Sequence, residues 1–280
     1  MKMLNKTNTL RILLLAILAG FAGCTKEKAI PFEPHVEKEV ANNPTDLAIQ
    51  DILKTYQTKI VYKWDRRYIS ADASATPPQF ELIKPYIDNI LRKLFIAAYD
   101  RQKSDFMVKH MPIEMIFIGS SINYDAGDER NFSASGMAQS FSRILITGIN
   151  AYDLNNKSWL RGQYATLHHE FAHVLDKIYS RPMGFDDVSK GLYAGSTSFA
   201  VFTQAEARSR GFWKNYGMTN ESEDFATWVN GIVTTPKDEV LTIVAANDLL
   251  KRKYTLVYNF YLSKGIDLHL LQEYLQTILQ

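Results

Sequence analysis

A single cysteine, Cys24, is all that the 280 residues hold. One thiol cannot close a disulfide within the chain, and any metal site must be assembled from imidazoles and carboxylates rather than from thiolates. Histidine is scarce too, six in all, so where it falls is informative. Charge of one sign is also lacking: 32 Lys and Arg face 30 Asp and Glu, for a net charge of +2. With no basic block after the first residues, neither nucleic acid nor a polyanionic surface is implied as a partner. No internal repeat or low-complexity break divides the chain.

Long apolar runs are missing as well. The stretch from Leu10 to Ala19, apolar apart from Arg11, is too short to span a bilayer permanently. Lys2, Lys6 and Arg11 before and within it, and "FAGC" after it, give the order of a secretory signal. Ala22 and Gly23 directly before Cys24 resemble a bacterial lipobox, although Phe21 stands where Leu is usual. That resemblance implies a signal peptide over 1–23, acylation of Cys24 and anchoring of an exported protein to the outer membrane, on its periplasmic or cell-surface face. Residues 24–44 mix charge and proline without hydrophobic period, which predicts a flexible tether, with His35 solvated on it. One catalytic domain is expected over 45–280.

What is present is His169-Glu170-Phe171-Ala172-His173, an H-E-x-x-H sequence. On a helix, residues four apart lie one turn from each other, so His169 and His173 can direct nitrogens at one ion. Glu170 beside them can take a proton from a water acidified by zinc. Leu160, Tyr164, Leu167, Phe171, Val174, Leu175 and Ile178 draw one apolar stripe after an N-cap at Ser158. Both histidines fall opposite it, so the helix should back onto a core and face a cleft.

Around this motif the pattern predicts an α+β domain. Asp46–Tyr56 has helical spacing, and "KIVYKW" has strand composition. Phe80 to Ala98 keeps a helical period that Pro85 should end or kink. Strand-like runs at Ile113–Ile118 and Arg143–Ile149 flank a polar loop. Residues 180–203 read as loops, "TQAEARSRGFWKNYG" as a helix, and 238–261 and 266–279 as two scaffold helices, with His269 satisfied or at the surface. Trp159, Trp213 and Trp228 are expected to pack.

A third metal ligand should lie downstream. In "NYGMTNESEDFATWVNGI", Glu221, Glu223 and Asp224 compete for that role. Asn220 followed by Glu223 is equally a capping box, and acids in a first turn suit the helix dipole without any metal.

"HEFAHVLD" followed about fifty residues later by "YGMTNESEDFA" resembles the gluzincin catalytic domain of anthrax lethal factor and a group of bacterial lipoproteins known as zinc-binding metallopeptidases associated with nutrient importers. The resemblance covers roughly residues 165–230. It implies a zincin-like fold, with a small mixed sheet and the motif helix in an upper lobe, a mostly helical lower lobe, and an edge strand able to pair with an extended peptide. It also implies Glu223 as third zinc ligand, Tyr216 as oxyanion stabiliser, a peptide, protein or glycopeptide substrate, and association with a TonB-dependent importer. Thr227 stands where the lethal-factor pattern has a supporting glutamate, so a histidine's partner must come from elsewhere, with Asp176 a candidate. The expected function is zinc-dependent amide hydrolysis. The alternative is a non-catalytic, zinc-containing binding subunit of an import complex.

Overall fold

In the computed structural model, residues 43–124, 133–134, 136–140 and 142–279 are described. The signal peptide, Cys24, His35 and the tether up to residue 42 lie outside them. Helix α1 (Pro44–Tyr56) starts two residues before the expected Asp46. Asn43 accepts a hydrogen bond from Asp46 N, and Pro44 occupies the first turn, where its missing N–H costs nothing.

Strands β1 (Lys59–Val61), β3 (Glu114–Phe117) and β7 (Arg143–Ile146) pair in parallel, and β6 (Gly136–Ser140) adds to β7 antiparallel. The result is a mixed sheet of order β1-β3-β7-β6. A small antiparallel sheet, β2 (Ala73–Ser74), β4 (Ile122–Tyr124) and β5 (Ser133–Ala134), lies beside it in sequence. The segment expected to be a polar loop between β3 and β7 thus holds three strands. "GMAQS" carries no apolar alternation because β6 is an edge strand, held by backbone bonds to one neighbour.

Pro85 does not end its helix. Element α2 runs as α-helix over Phe80–Tyr86, π-helix over Ile87–Ile96 and α-helix over Ala97–Asp100. The bonding widens only after the proline, where Ile87 N still donates to Ile83 O, and Asn89 Nδ2 donates to Pro85 O at 3.1 Å. The short α3 (Phe106–His110) leads into β3.

After the motif helix α4 (Lys157–Tyr179) the described chain has no strand. Residues 180–203, expected as loops, include two single-turn helices, α5 (Phe185–Val188) and α6 (Ser198–Val201). The helix expected over 203–217 is only α7 (Gln204–Ser209), because Gly211 adopts a φ of 86° and the chain resumes as a 3-10 turn at Asn215–Thr219. Helix α8 (Glu221–Thr234) follows. The next predicted helix is two, α9 (Lys237–Ala245) and α10 (Asp248–Ser263), since Asn247 caps the second by accepting from Leu250 N. Helix α11 (Leu268–Leu279) ends the fold. The architecture is α+β, as expected.

The core lies where α4 packs on α2, α8 and α11, with Phe95, Tyr99, Phe171, Phe225, Trp228 and Leu271 fully buried. Each such side chain contributes roughly 1.5–3 kcal/mol by leaving water, which fixes the rotation of α4 and α8 about their axes. That rotation decides which residues face the cleft.

Candidate metal centre

Asn156, not Ser158, caps α4, its side chain accepting from Trp159 N at 3.0 Å. The predicted stripe is buried except Ile178, on the last turn. His168, in sequence one of a run with His169, turns inward with that stripe. The Tyr99 hydroxyl shares a 2.9 Å hydrogen bond with its Nδ1, and Phe95 and Tyr164 rings pack on it. Burial pushes its pKa down to about 3, so it is a neutral core residue.

The opposite face brings His169 and His173 to Glu223 of α8. His169 Nε2 and His173 Nε2 lie 3.3 Å apart, and Glu223 Oε2 lies 3.1 Å from the first and 3.5 Å from the second. Donors bound to one tetrahedral zinc at 2.0–2.1 Å must stand about 3.3 Å from one another. These nitrogen and oxygen atoms fit that spacing. Their side chains are 13%, 12% and 20% exposed, so the site opens to solvent on one side. Among the described residues this is the one His, Asp and Glu group close enough to hold an ion.

The three competing acids separate in space. Glu223 serves the cap through its backbone alone: Asn220 Oδ1 accepts from its N at 2.9 Å, while its carboxylate reaches the imidazoles. Asp224, one residue on, points into the core, where Tyr193 donates to it at 3.0 Å and the Lys253 ammonium pairs with it. Glu221 joins neither group. Burial alone would raise the Glu223 carboxyl, but hydrogen bonds from the two imidazoles, and their charge, hold it at about 2. Burial would lower His173, yet its bond to Glu223 and the charges of Glu170, Glu223 and Asp176 raise it. Positive charge is therefore favoured at the point where these groups meet.

Glu170 is 5% exposed, next to the two histidines. The Tyr216 ring lies 6.2 Å from that of His169. Its phenol is pushed well above the usual range, chiefly by burial and then by the charges of Glu223 and Glu170, so at neutral pH it keeps its proton.

The partner that orients His173 is Ser222, which the sequence reading missed. Its Oγ lies 2.9 Å from His173 Nδ1 and donates to Asp176 Oδ2 at 3.2 Å. With its hydrogen committed to Asp176, the serine can only accept from the ring, which puts a proton on Nδ1 and leaves Nε2 as the nitrogen available to an ion. Asp176 thus acts through Ser222, and Arg181 holds Asp176 from the far side. Thr227 cannot replace the absent glutamate. It bonds Asp224 O within its helix, and Gly217 packs so closely that a Cβ there would lie 2.6 Å from Thr227 Oγ1. A serine in the first turn of a helix gives no signal of this role until the helix is docked.

A family model described as "Putative zinc-binding metallo-peptidase" matches residues 39–269, a span that includes every residue of the site. The fold is similar to the crystal structure of a putative zinc-binding metallo-peptidase from Bacteroides caccae, with a TM-score of 0.63, 21% identity, and coverage of 85% of this chain and 94% of that one. No curated protein matches the chain.

Proposed function

The chain belongs to the "Putative zinc-binding metallo-peptidase" family, and from that premise we propose that it is a zinc-dependent peptidase whose ion is held by His169 Nε2, His173 Nε2 and Glu223 Oε2. One observation carries the assignment: three donors from two helices meet at the mutual spacing that a tetrahedral zinc requires. When bound, zinc supplies a Lewis acid and lowers the pKa of water.

The protein's own groups do the rest. Glu170 takes a proton from the attacking water on its carboxylate as the water oxygen bonds to the peptide carbonyl carbon. It returns that proton to the leaving nitrogen when the C–N bond breaks. Tyr216, held protonated by its surroundings, donates a hydrogen bond to the carbonyl oxygen as negative charge builds there. Ser222 and Asp176 keep His173 in the tautomer that presents Nε2. Strand β6, at the sheet edge and against α4, offers backbone donors and acceptors to an extended peptide. The likeness of Tyr216 and Glu223 to their counterparts in the lethal-factor pattern supports these roles.

Export and lipid anchoring to the outer membrane through Cys24, and association with a TonB-dependent importer, are part of the same proposal. They are supported by the lipobox-like segment. Loss of palmitate labelling in Cys24→Ser, and recovery of an importer with the anchored protein, would support them.

The function is tested by peptide hydrolysis by the purified protein, abolished by a chelator and restored by zinc. Zinc bound stoichiometrically with no cleavage of any peptide, protein or glycopeptide pool would identify a binding subunit instead.

A further inference from the structure

A concavity of about 420 Å³ lies along the same helix pair as the metal centre. Arg161, Ala165 and His169 follow at four-residue steps on α4, so they share a face, and Ala165 is one turn, about 6 Å, from His169. Helix α8 runs beside it: Asn230, two turns beyond Glu223, donates from Nδ2 to Ala165 O at 3.1 Å. The two helices that carry the metal donors therefore continue side by side as the floor of this groove. Its wall is Arg208, Trp213 and Lys214, the last only two residues before Tyr216.

The groove carries three cationic side chains against one carboxylate, the exposed Glu239. Arg161 and Lys214 have no acid within ion-pair distance among the described residues. Arg208 is held over the Trp213 ring at 5.8 Å, and its Nε–H is buried without an acceptor. Trp213 itself is seated on Gly231, where a Cβ would come within 2.1 Å of the indole. The wall is thus fixed in place by close packing. Lys214 reaches solvent, yet the protein around it pushes its pKa down with no carboxylate to offset the effect. Unpaired cations and a buried, unused guanidinium donor are what an arriving anion would satisfy.

We propose that this groove is a substrate subsite for a carboxylate, borne by an acidic side chain or by a free C-terminus, within a few residues of the bond that is cut. It rests on the peptidase reading for its place in a reaction, but its binding chemistry can be read without turnover. An extended chain covers about 3.3–3.6 Å per residue, so a side chain one or two residues from the scissile bond reaches Ala165, and one three or four away reaches Arg161.

The test uses zinc-loaded Glu170→Gln protein and labelled alanine-based hexapeptides carrying Glu, Gln or Lys at each position in turn, each with a free or amidated C-terminus. At one register the Glu peptide should bind about tenfold more tightly than its Gln counterpart, with an advantage that shrinks at high salt. If the C-terminal carboxylate is the ligand, amidation should produce the loss instead. Arg161→Gln with Lys214→Gln should erase the preference without changing zinc content. Arg161→Glu with Lys214→Glu should turn it toward Lys-bearing peptides, a reversal that misfolding cannot produce. Equal binding of Glu, Gln and amidated peptides by the parent, or a preference unchanged in both double variants, overturns the subsite. A preference present in Glu170→Gln, while the unsubstituted zinc-loaded protein hydrolyses nothing, leaves the subsite standing and removes the peptidase.

Discussion

Glu170 and His169 are neighbours in sequence, yet their substitutions should fail differently. Glu170→Gln keeps the donor set and removes the base, so zinc content stays near one per chain while turnover falls roughly 10²–10⁴-fold. His169→Ala loses both. Activity in Glu170→Gln equal to the parent's would show that the base lies elsewhere. Ser222→Ala leaves His173 Nδ1 without its 2.9 Å partner and breaks its link to Asp176, which keeps only Arg181, and zinc affinity should drop roughly 10–100-fold by competition with a chromogenic chelator. An unchanged affinity would make Ser222 a bystander. The motif histidines and Glu170 were legible because H-E-x-x-H places them by helical geometry alone. From helix geometry alone Glu223 was legible only as one acid of three, since which acid faces the cleft depends on the docked rotation of α8; the family resemblance is what singled it out. Ser222 was not legible, as a hydroxyl acquires its role from two groups about fifty residues away.

Helix α8 carries the third donor in its first turn, so its N-terminus and the zinc site should respond together. Asn220→Ala removes the cap on Glu223 N and should cost about 1 kcal/mol of stability. It should also shrink the rise in melting temperature that zinc confers, because a frayed first turn no longer holds Glu223 in place; an undiminished rise would separate cap from site. Deeper in the same helix, Asp224 and Lys253 are both fully buried, with Lys253 4.0 Å above the Phe212 ring. Lys253→Met leaves the buried Asp224 without its cation and with only the Tyr193 hydroxyl donating to it, a loss of about 3–5 kcal/mol in denaturant unfolding, part of which Asp224→Asn should restore. Helices with long apolar stripes were legible in the sequence, but their breaks were less so. The stripe from Val240 to Val257 continues across Asn247, so periodicity hid the cap that divides α9 from α10, and the cap of α4 is Asn156, two residues before the expected Ser158. Pro85 did not end its helix, since the chain continues as α-helix to Tyr86 and then as π-helix over Ile87–Ile96.

Across the whole molecule, three buried histidines outside the metal site, His110, His168 and His269, are held below the ordinary imidazole pKa, in each case mainly by burial. The unfolded chain takes up these protons near pH 6.5 and the folded one does not, so the stability they allow is complete above that pH and falls away below it. For His168, with a folded pKa of about 3, the loss at pH 5.5 is on the order of 1 kcal/mol. Parent and His168→Gln, both stripped of metal, should therefore differ less in stability at pH 5.5 than at pH 7.5, and a constant gap would contradict the assignment. The α+β class was legible from the order of strand-like and helical runs, whereas the edge strand was not. β6 has too little apolar character to announce itself, yet it lies along α4 where a substrate backbone would run. The central claim, that two imidazoles and the Glu223 carboxylate converge on one ion, is tested most directly by an anomalous difference map at the zinc edge from crystals of the protein. A single peak within bonding distance of His169 Nε2, His173 Nε2 and Glu223 Oε2 is the predicted result; a zinc-supplemented crystal with no peak there, or with Glu223 turned away from the ion, would contradict it.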